Sequence, residues 1–304
     1  MPYELIVRAM LTEPWAVKHD KMMAMVDIIN RRRAGSVVEA AKFTPAQDRK
    51  ISQQQGNVLV IPVMGVISHR ASLVQNICGP AGTSSEALAA EIRRAVADSA
   101  IKVVILDIDS PGGSVAGLPE LAAIIYSYRG MKPIIAQVNS LAASAAYWIA
   151  ASAEEVVVTP SGEVGSIGVY TLHQDWSAAY EAEGIKNTFI YAGEHKVEGN
   201  PYEPLADDAK AAIQSRVDEC YSMFVDGVAQ GRGVTTKDVL ERFGQGRVFG
   251  AKEAVKLGMA DRIGTLEDTL TRFGVQPYNG ADTRKAATER MRREADFLGA
   301  GHIA

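Results

Sequence analysis

The run Val103-Val104-Ile105-Leu106-Asp107-Ile108 leads through Asp109 directly into Ser110-Pro111-Gly112-Gly113. A strand this rich in β-branched and apolar residues is expected to be buried on both faces, which requires helices above and below a parallel sheet. The rest of the chain supplies the partners. Strands are expected at 58–63, 133–138, 155–158, 167–172 and 188–191. Helices are expected from Thr83 or Ser84 to about Asp98 and at 116–128, 142–153, 176–183, 207–230, 236–243 and 251–257. Strands that alternate with helices imply βαβ units, so the fold class is α/β with a mainly parallel sheet.

The ends differ from this centre. Residues 1–55 read as a small α+β extension, with a strand at 3–10 and a helix at 15–33 whose one side carries Trp15, His19, Met22, Met23, Val26, Ile28 and Ile29. That helix ends in Arg31-Arg32-Arg33 and Gly35, a cationic last turn and C-cap. Residues 52–56 read as a linker, 56–268 as the main domain, and 269–304 as a polar helical or disordered tail containing Arg284, Lys285, Arg290, Arg292 and Arg293. The net charge of −4 lacks the basic surplus of a nucleic-acid binder. Cys78 and Cys220 have no zinc-ligand spacing and cannot build a disulfide framework, which fits a reducing compartment. The longest apolar stretch, 142–151, is interrupted by Ser144 and falls short of the roughly 18 residues of a membrane span. Met1-Pro2-Tyr3-Glu4-Leu5 lacks the basic start of a signal peptide. The expectation is a cytoplasmic protein with no membrane span, no metal and no cofactor.

Four elements carry chemistry. Gly112-Gly113 ends a buried strand and frees the backbone to aim N–H groups at an oxyanion. Ser144 stands near the start of a helix among small residues, Ala142-Ala143-Ser144-Ala145-Ala146, where the helix dipole favours negative charge and the Ala145 N–H adjoins the hydroxyl. Gly162-Glu163-Val164-Gly165-Ser166-Ile167-Gly168 is a glycine-rich turn into an apolar strand. Gly193-Glu194-His195-Lys196 follows the strand expected at 188–191 and offers a lysine able to reach back over the sheet.

In order and spacing these elements resemble the signal peptide peptidase A family of serine peptidases and, more distantly, the Clp protease. The resemblance covers about residues 57–265 and extends to Gly250-Ala251-Lys252-Glu253-Ala254-Val255-Lys256-Leu257-Gly258. Ala145-Ala146 stands where many relatives carry two glycines, and Glu154-Glu155 where an Asp is common. The resemblance implies a Clp/crotonase-like fold and a serine endopeptidase with Ser144 as nucleophile and Lys196 as general base. Gly113 and Ala145 would form the oxyanion hole, and Ser166 would orient the lysine. A lysine base needs burial to bring its pKa down from the ordinary 10.4 or so. The N-terminal block resembles the phage and prophage branch, the capsid assembly or head-maturation proteases. That branch implies scaffold, capsid or portal proteins as substrates, a homo-oligomeric ring, and a setting in the host cytoplasm or procapsid.

His173, with Asp175 beside it, is an alternative base in a Ser-His-Asp arrangement. Two other functions share the fold: a crotonase-type acyl-CoA enzyme, which would not need a serine at 144, and a catalytically inactive scaffolding protein.

Overall fold

A computed structural model describes residues 13–33, 52–70 and 82–275. In chain order the strands are β1 (Trp15–Val17), β2 (Gln53–Gln55), β3 (Val58–Ser68), β4 (Thr83–Ser84), β5 (Val103–Ser114), β6 (Ile134–Ala143), β7 (Glu155–Val158), β8 (Glu163–Gly165), β9 (Val248–Gly250) and β10 (Arg262–Ile263). The helices are α1 (His19–Arg33), α2 (Ser85–Ala97), α3 (Leu118–Ser127), α4 (Ala145–Ser152), α5 (Ser177–Ala182), α6 (Asp207–Arg232), α7 (Thr236–Arg242), α8 (Ala251–Leu257) and α9 (Leu266–Arg272).

The strands form one mixed sheet whose central path runs β10-β7-β6-β5-β3-β2. From β3 through β5, β6 and β7 to β10 every pairing is parallel, as the βαβ pattern requires. β5 alternates as a strand buried on both faces should. Val104, Leu106 and Ile108 join the large core beneath α2, α3, α4 and α6, whereas Val103 and Ile105 join a second layer against Leu266 and Leu270 of α9 and Phe273 just after it. A buried polar contact pins that second layer: the Thr269 hydroxyl donates to Gln137 Oε1 at 2.7 Å, and Gln137 Nε2 donates to the Gly264 carbonyl at 3.0 Å. Local chemistry sets the helix starts. Ser84 accepts the Ala87 N–H at 3.2 Å, and Thr235–Asp238 and Thr265–Asp268 are reciprocal capping boxes.

Several expected boundaries move. Residues 15–17 are not the first turn of a helix but β1, antiparallel to β5, and the helix starts at His19. Trp15 and Val17 suit a pleated surface, and the Gly112–Ser114 end of β5 provides the edge. Residues 142 and 143 extend β6, because pairing with Val164 and Gly165 overrides the helix propensity of alanine. The linker expected at 52–56 contains β2, turned onto β3 at Gly56. Of the strand expected at 167–172 only a single bridge forms, Tyr170 to Trp15. Residues 188–191 are not a strand: no sheet edge reaches them, and Ile190 is 99% exposed. The strand expected at 3–10, Cys78, and the part of the tail beyond 275 lie outside the described residues. Among the described residues no helix is long and apolar enough to cross a membrane.

Candidate active site

β6 stops at Ala143 and α4 begins at Ala145, so Ser144 is the single residue of a strand-to-helix turn. Its backbone sits at φ 56° and ψ −119°. A non-glycine residue there costs on the order of 1–3 kcal/mol and persists only where its surroundings enforce it. Here they do. The Ser144 N–H donates to the Gly165 carbonyl at 2.7 Å, and the Ser144 carbonyl accepts the Tyr147 and Trp148 amides at 2.9 and 3.1 Å. The next amide, that of Ala145, opens the helix and has no acceptor among the described residues. An unpaired N–H at the positive end of a helix, adjacent to a serine hydroxyl, is a donor suited to an oxyanion. Ser144 is 1% exposed, and its hydroxyl donates to the Gly168 carbonyl at 3.4 Å.

The Ser110-Pro111-Gly112-Gly113 segment is held against this turn. Ser110 Oγ donates to the Gly65 carbonyl at 2.6 Å and accepts the Gly112 N–H at 3.2 Å. The register of β5 slips against both neighbours here, next to Met64/Val66 on one side and Ile108/Ser110 on the other. Glycine is required by close approach as well as by backbone freedom. A Cβ on Gly113 would fall 1.8 Å from the Ile67 carbonyl oxygen, and one on Gly112 would lie 2.9 Å from Ala143 O and 3.0 Å from Ser144 Cβ. The predicted nucleophile and the predicted oxyanion strand are therefore in contact, as are Ser144 and Ala145.

Ser166 also has positive φ, 56°, and is buried, with its N–H on the Arg247 carbonyl at 2.6 Å. It lies beside Ser144 through Gly165. Lys196 forms no hydrogen bond with Ser144 among the described residues. It is exposed in the turn 194–199, its N–H donates to the Gly193 carbonyl at 3.0 Å, and its amine has no hydrogen-bond or ion-pair partner among the described residues. His195 next to it pairs with Glu198. His173 forms no hydrogen bond with Ser144 among the described residues either. Its Nε2 is 3.2 Å from the Asn200 carbonyl oxygen, which only accepts, so that nitrogen carries the proton. Asp175 accepts the Ser177 N–H at 2.8 Å, and no hydrogen bond joins it to His173 among the described residues.

Residues that the sequence reading did not single out complete the setting. Arg129 holds the C-terminal end of α4, its guanidinium donating to the carbonyls of Ala151, Ser152, Ala153 and Gly231. α6 packs on α4 through Gly227 and Gly231, and Trp148 stacks on Phe224 at 4.8 Å. Arg232 grips Asp261 with two hydrogen bonds of 2.7 and 3.0 Å, and the Tyr147 hydroxyl donates to Met259 O at 2.9 Å. Burial in this packing pushes the Tyr147 phenol well above its ordinary pKa, so it remains a neutral donor. Finally, β1 lies along the Gly112–Ser114 edge. The aromatic–small–branched triplet Trp15-Ala16-Val17 after Pro14 was the available signal for it. The surface concavity lined by Pro62, Thr83, Ala87 and Leu88 includes none of the predicted site residues.

The chain is 35% identical over 227 residues to capsid assembly protease C of Escherichia phage lambda, covering 75% of this chain and 51% of that protein. It is 33% identical over 270 residues to the head-tail preconnector protein GP5 of Enterobacteria phage P21, covering 85% of this chain and 53% of that one. The chloroplastic serine protease SPPA of Arabidopsis thaliana is 28% identical over 274 residues, 88% of this chain and 38% of its own length. The chain thus spans about half the length of the first two relatives. Residues 128–276 match the model of peptidase family S49, whose Clp/crotonase-like architecture is the mixed sheet with flanking helices described above. Ser144 on its strand-to-helix turn and Lys196 both lie inside the matched region, and residues 128–276 of this chain are a peptidase family S49 domain.

Proposed function

We propose that this chain is a serine endopeptidase of phage head assembly, with Ser144 as nucleophile and Lys196 as general base. The observation that carries the reading is the strained Ser144 turn beside the unpaired Ala145 amide. Strain of this kind clusters at functional sites, and a serine on a strand-to-helix elbow is a recurring way to present a nucleophile. The Ser144 oxygen attacks the scissile carbonyl carbon while its proton passes to the lysine amine. The Ala145 and Gly113 N–H groups hold the resulting oxyanion, each such donor contributing about 2.7–4 kcal/mol to the transition state. Collapse expels the amine, which takes the proton from the lysine. Water then hydrolyses the acyl-enzyme by the same route. Ser166, two residues beyond Val164 and adjacent to the Gly165 contact, serves to orient the base.

Lys196 must be delivered to Ser144 by a change from the single-chain arrangement. Its surroundings suit an interface: Ile185, Ile190 and Tyr191 are large apolar side chains exposed to 46%, 99% and 52%. We assign the delivery to assembly into a homo-oligomer. We assign as substrates structural proteins of the phage head, a reading supported by the likeness to a phage capsid assembly protease and a phage head-tail preconnector protein.

The test is hydrolysis of a co-expressed capsid or scaffold protein, with labelling by a fluorophosphonate as a second readout. Ser144→Ala should lose both. Lys196→Ala should lose hydrolysis by about a thousandfold or more, on the scale of general-base catalysis combined with nucleophile activation. Full activity in Lys196→Ala with none in His173→Ala would transfer the base to His173. Absence of any labelling of the wild type would favour acyl-CoA chemistry or a scaffolding role.

A further inference from the structure

Ser144 is covered by the chain's own N-terminal part. Pro14, Trp15, Ala16 and Val17 are buried, and β1 runs antiparallel to β5 with Ala16 opposite Gly113 and Val17 opposite Gly112. The Lys18 N–H donates to the Pro111 carbonyl at 2.8 Å, and the Val115 N–H donates to the Pro14 carbonyl at 3.3 Å. In an antiparallel ladder the hydrogen-bonded pairs recur at every second residue. The pair between those two, Ala16 and Gly113, is therefore bonded as well, and the Gly113 N–H is directed at the Ala16 carbonyl. That carbonyl also stands beside the nucleophile: a Cβ on Gly112 would lie 2.3 Å from Ala16 O and 3.0 Å from Ser144 Cβ. On the other edge of the segment, Trp15 and Tyr170 exchange backbone hydrogen bonds of 2.9 and 3.0 Å. An extended stretch is thus held between two lengths of backbone, as a peptide ligand is held by strand addition. One of its carbonyls rests on the expected oxyanion donor.

The seat is packed, but two of its polar groups are unpaired. Trp15 Nε1 and Tyr170 Oη are buried at this contact without a hydrogen-bond partner among the described residues, which weakens it. The Trp15 and Val17 side chains pack with Met22, Met25, Val26 and Val66 in a cluster separate from the main core, whereas Ala16 between them joins the main core.

We propose that residues 14–18 are a resident peptide ligand of the active site, seated as a substrate is, with the Ala16 carbonyl in the position of the scissile one, and that they keep the enzyme latent until displaced. The proposal rests on the reading of Ser144 as a peptidase nucleophile. In the resting arrangement the Ser144 hydroxyl is turned to Gly168 O, so the occupying bond is not attacked.

The experiment compares rates of Ser144 modification by a fluorophosphonate in full-length wild type, Trp15→Ala and Ala16→Pro. The variants should label at least tenfold faster, and a capped peptide of residues 13–20 should slow them again. Folded variants that label at the wild-type rate would make β1 a permanent part of the sheet and overturn the proposal. No labelling of any form would remove the peptidase reading and the proposal with it, a different result from equal labelling. Should neither variant fold, amide hydrogen exchange on the wild type decides. Amides of residues 15–18 should exchange at least a hundredfold faster than those of Val104–Ile108. Equal protection would overturn the proposal.

Discussion

At the residue scale Ser144 combines two demands that oppose each other. The turn that presents its hydroxyl uses backbone angles that glycine adopts freely and serine does not. Ser144→Gly should therefore abolish fluorophosphonate labelling and raise stability, by about 1 kcal/mol once the entropy cost of glycine is set against the relieved strain. Ser144→Ala, which keeps the strain, should unfold at the wild-type temperature. Thermal unfolding of the three proteins side by side checks this. The serine itself was legible as a candidate from its small neighbours and the helix that follows. The strained turn was not, because residues 142 and 143 read as helix and only their pairing with Val164 and Gly165 makes them strand.

At the scale of elements, α4 is short and apolar and draws its position from what holds its two ends. Its N-terminal end is fixed by the Ser144 bond to Gly165 and its C-terminal end by Arg129. Removing the guanidinium leaves several carbonyls unpaired in a partly buried place. Arg129→Ala should cost about 3 kcal/mol, read as a lowered denaturant midpoint, with Arg129→Lys recovering only part because one ammonium cannot span the same carbonyls. The close approach of α6 to α4 has a similar origin in sequence. Side chains at Gly227 and Gly231 would fall 2.1 Å from Trp148 Nε1 and 2.2 Å from Ala151 O. Periodicity reveals α6 as a helix but does not say which of its faces needs glycine.

At the scale of the whole molecule, ion pairs tie the last elements of the main domain to the sheet. Burial alone would raise the Asp261 carboxyl, but the hydrogen bonds from Arg232 and the Val156 amide outweigh it and hold the group below its ordinary 3.8. Burial likewise opposes, and Arg272 and Arg262 outweigh, at Glu155, which lies below its ordinary 4.5. A carboxyl depressed in the folded state stabilises it above the unfolded value, and that contribution fades as pH falls through the folded value. The unfolding temperature should be level near neutrality and fall below about pH 4, less steeply in Asp261→Asn. Assembly is the other property at this scale. If Lys196 of one copy serves Ser144 of another, a mixture of inactive Ser144→Ala and Lys196→Ala chains should regain up to about a quarter of wild-type hydrolysis on the statistics of random pairing; a mixture that stays inactive would keep the dyad within one chain. The parallel centre of the sheet, β3, β5, β6 and β7 with the helices between them, and the glycine pair at the end of β5 were determined by the sequence alone, because burial pattern and turn chemistry are local. The filling of the site was decided only by the tertiary structure. Trp15-Ala16-Val17 lies more than a hundred residues from Ser144 in the chain, and a helix-like stretch becomes a strand there because the backbone edge of Gly112–Ser114 has hydrogen bonds to share.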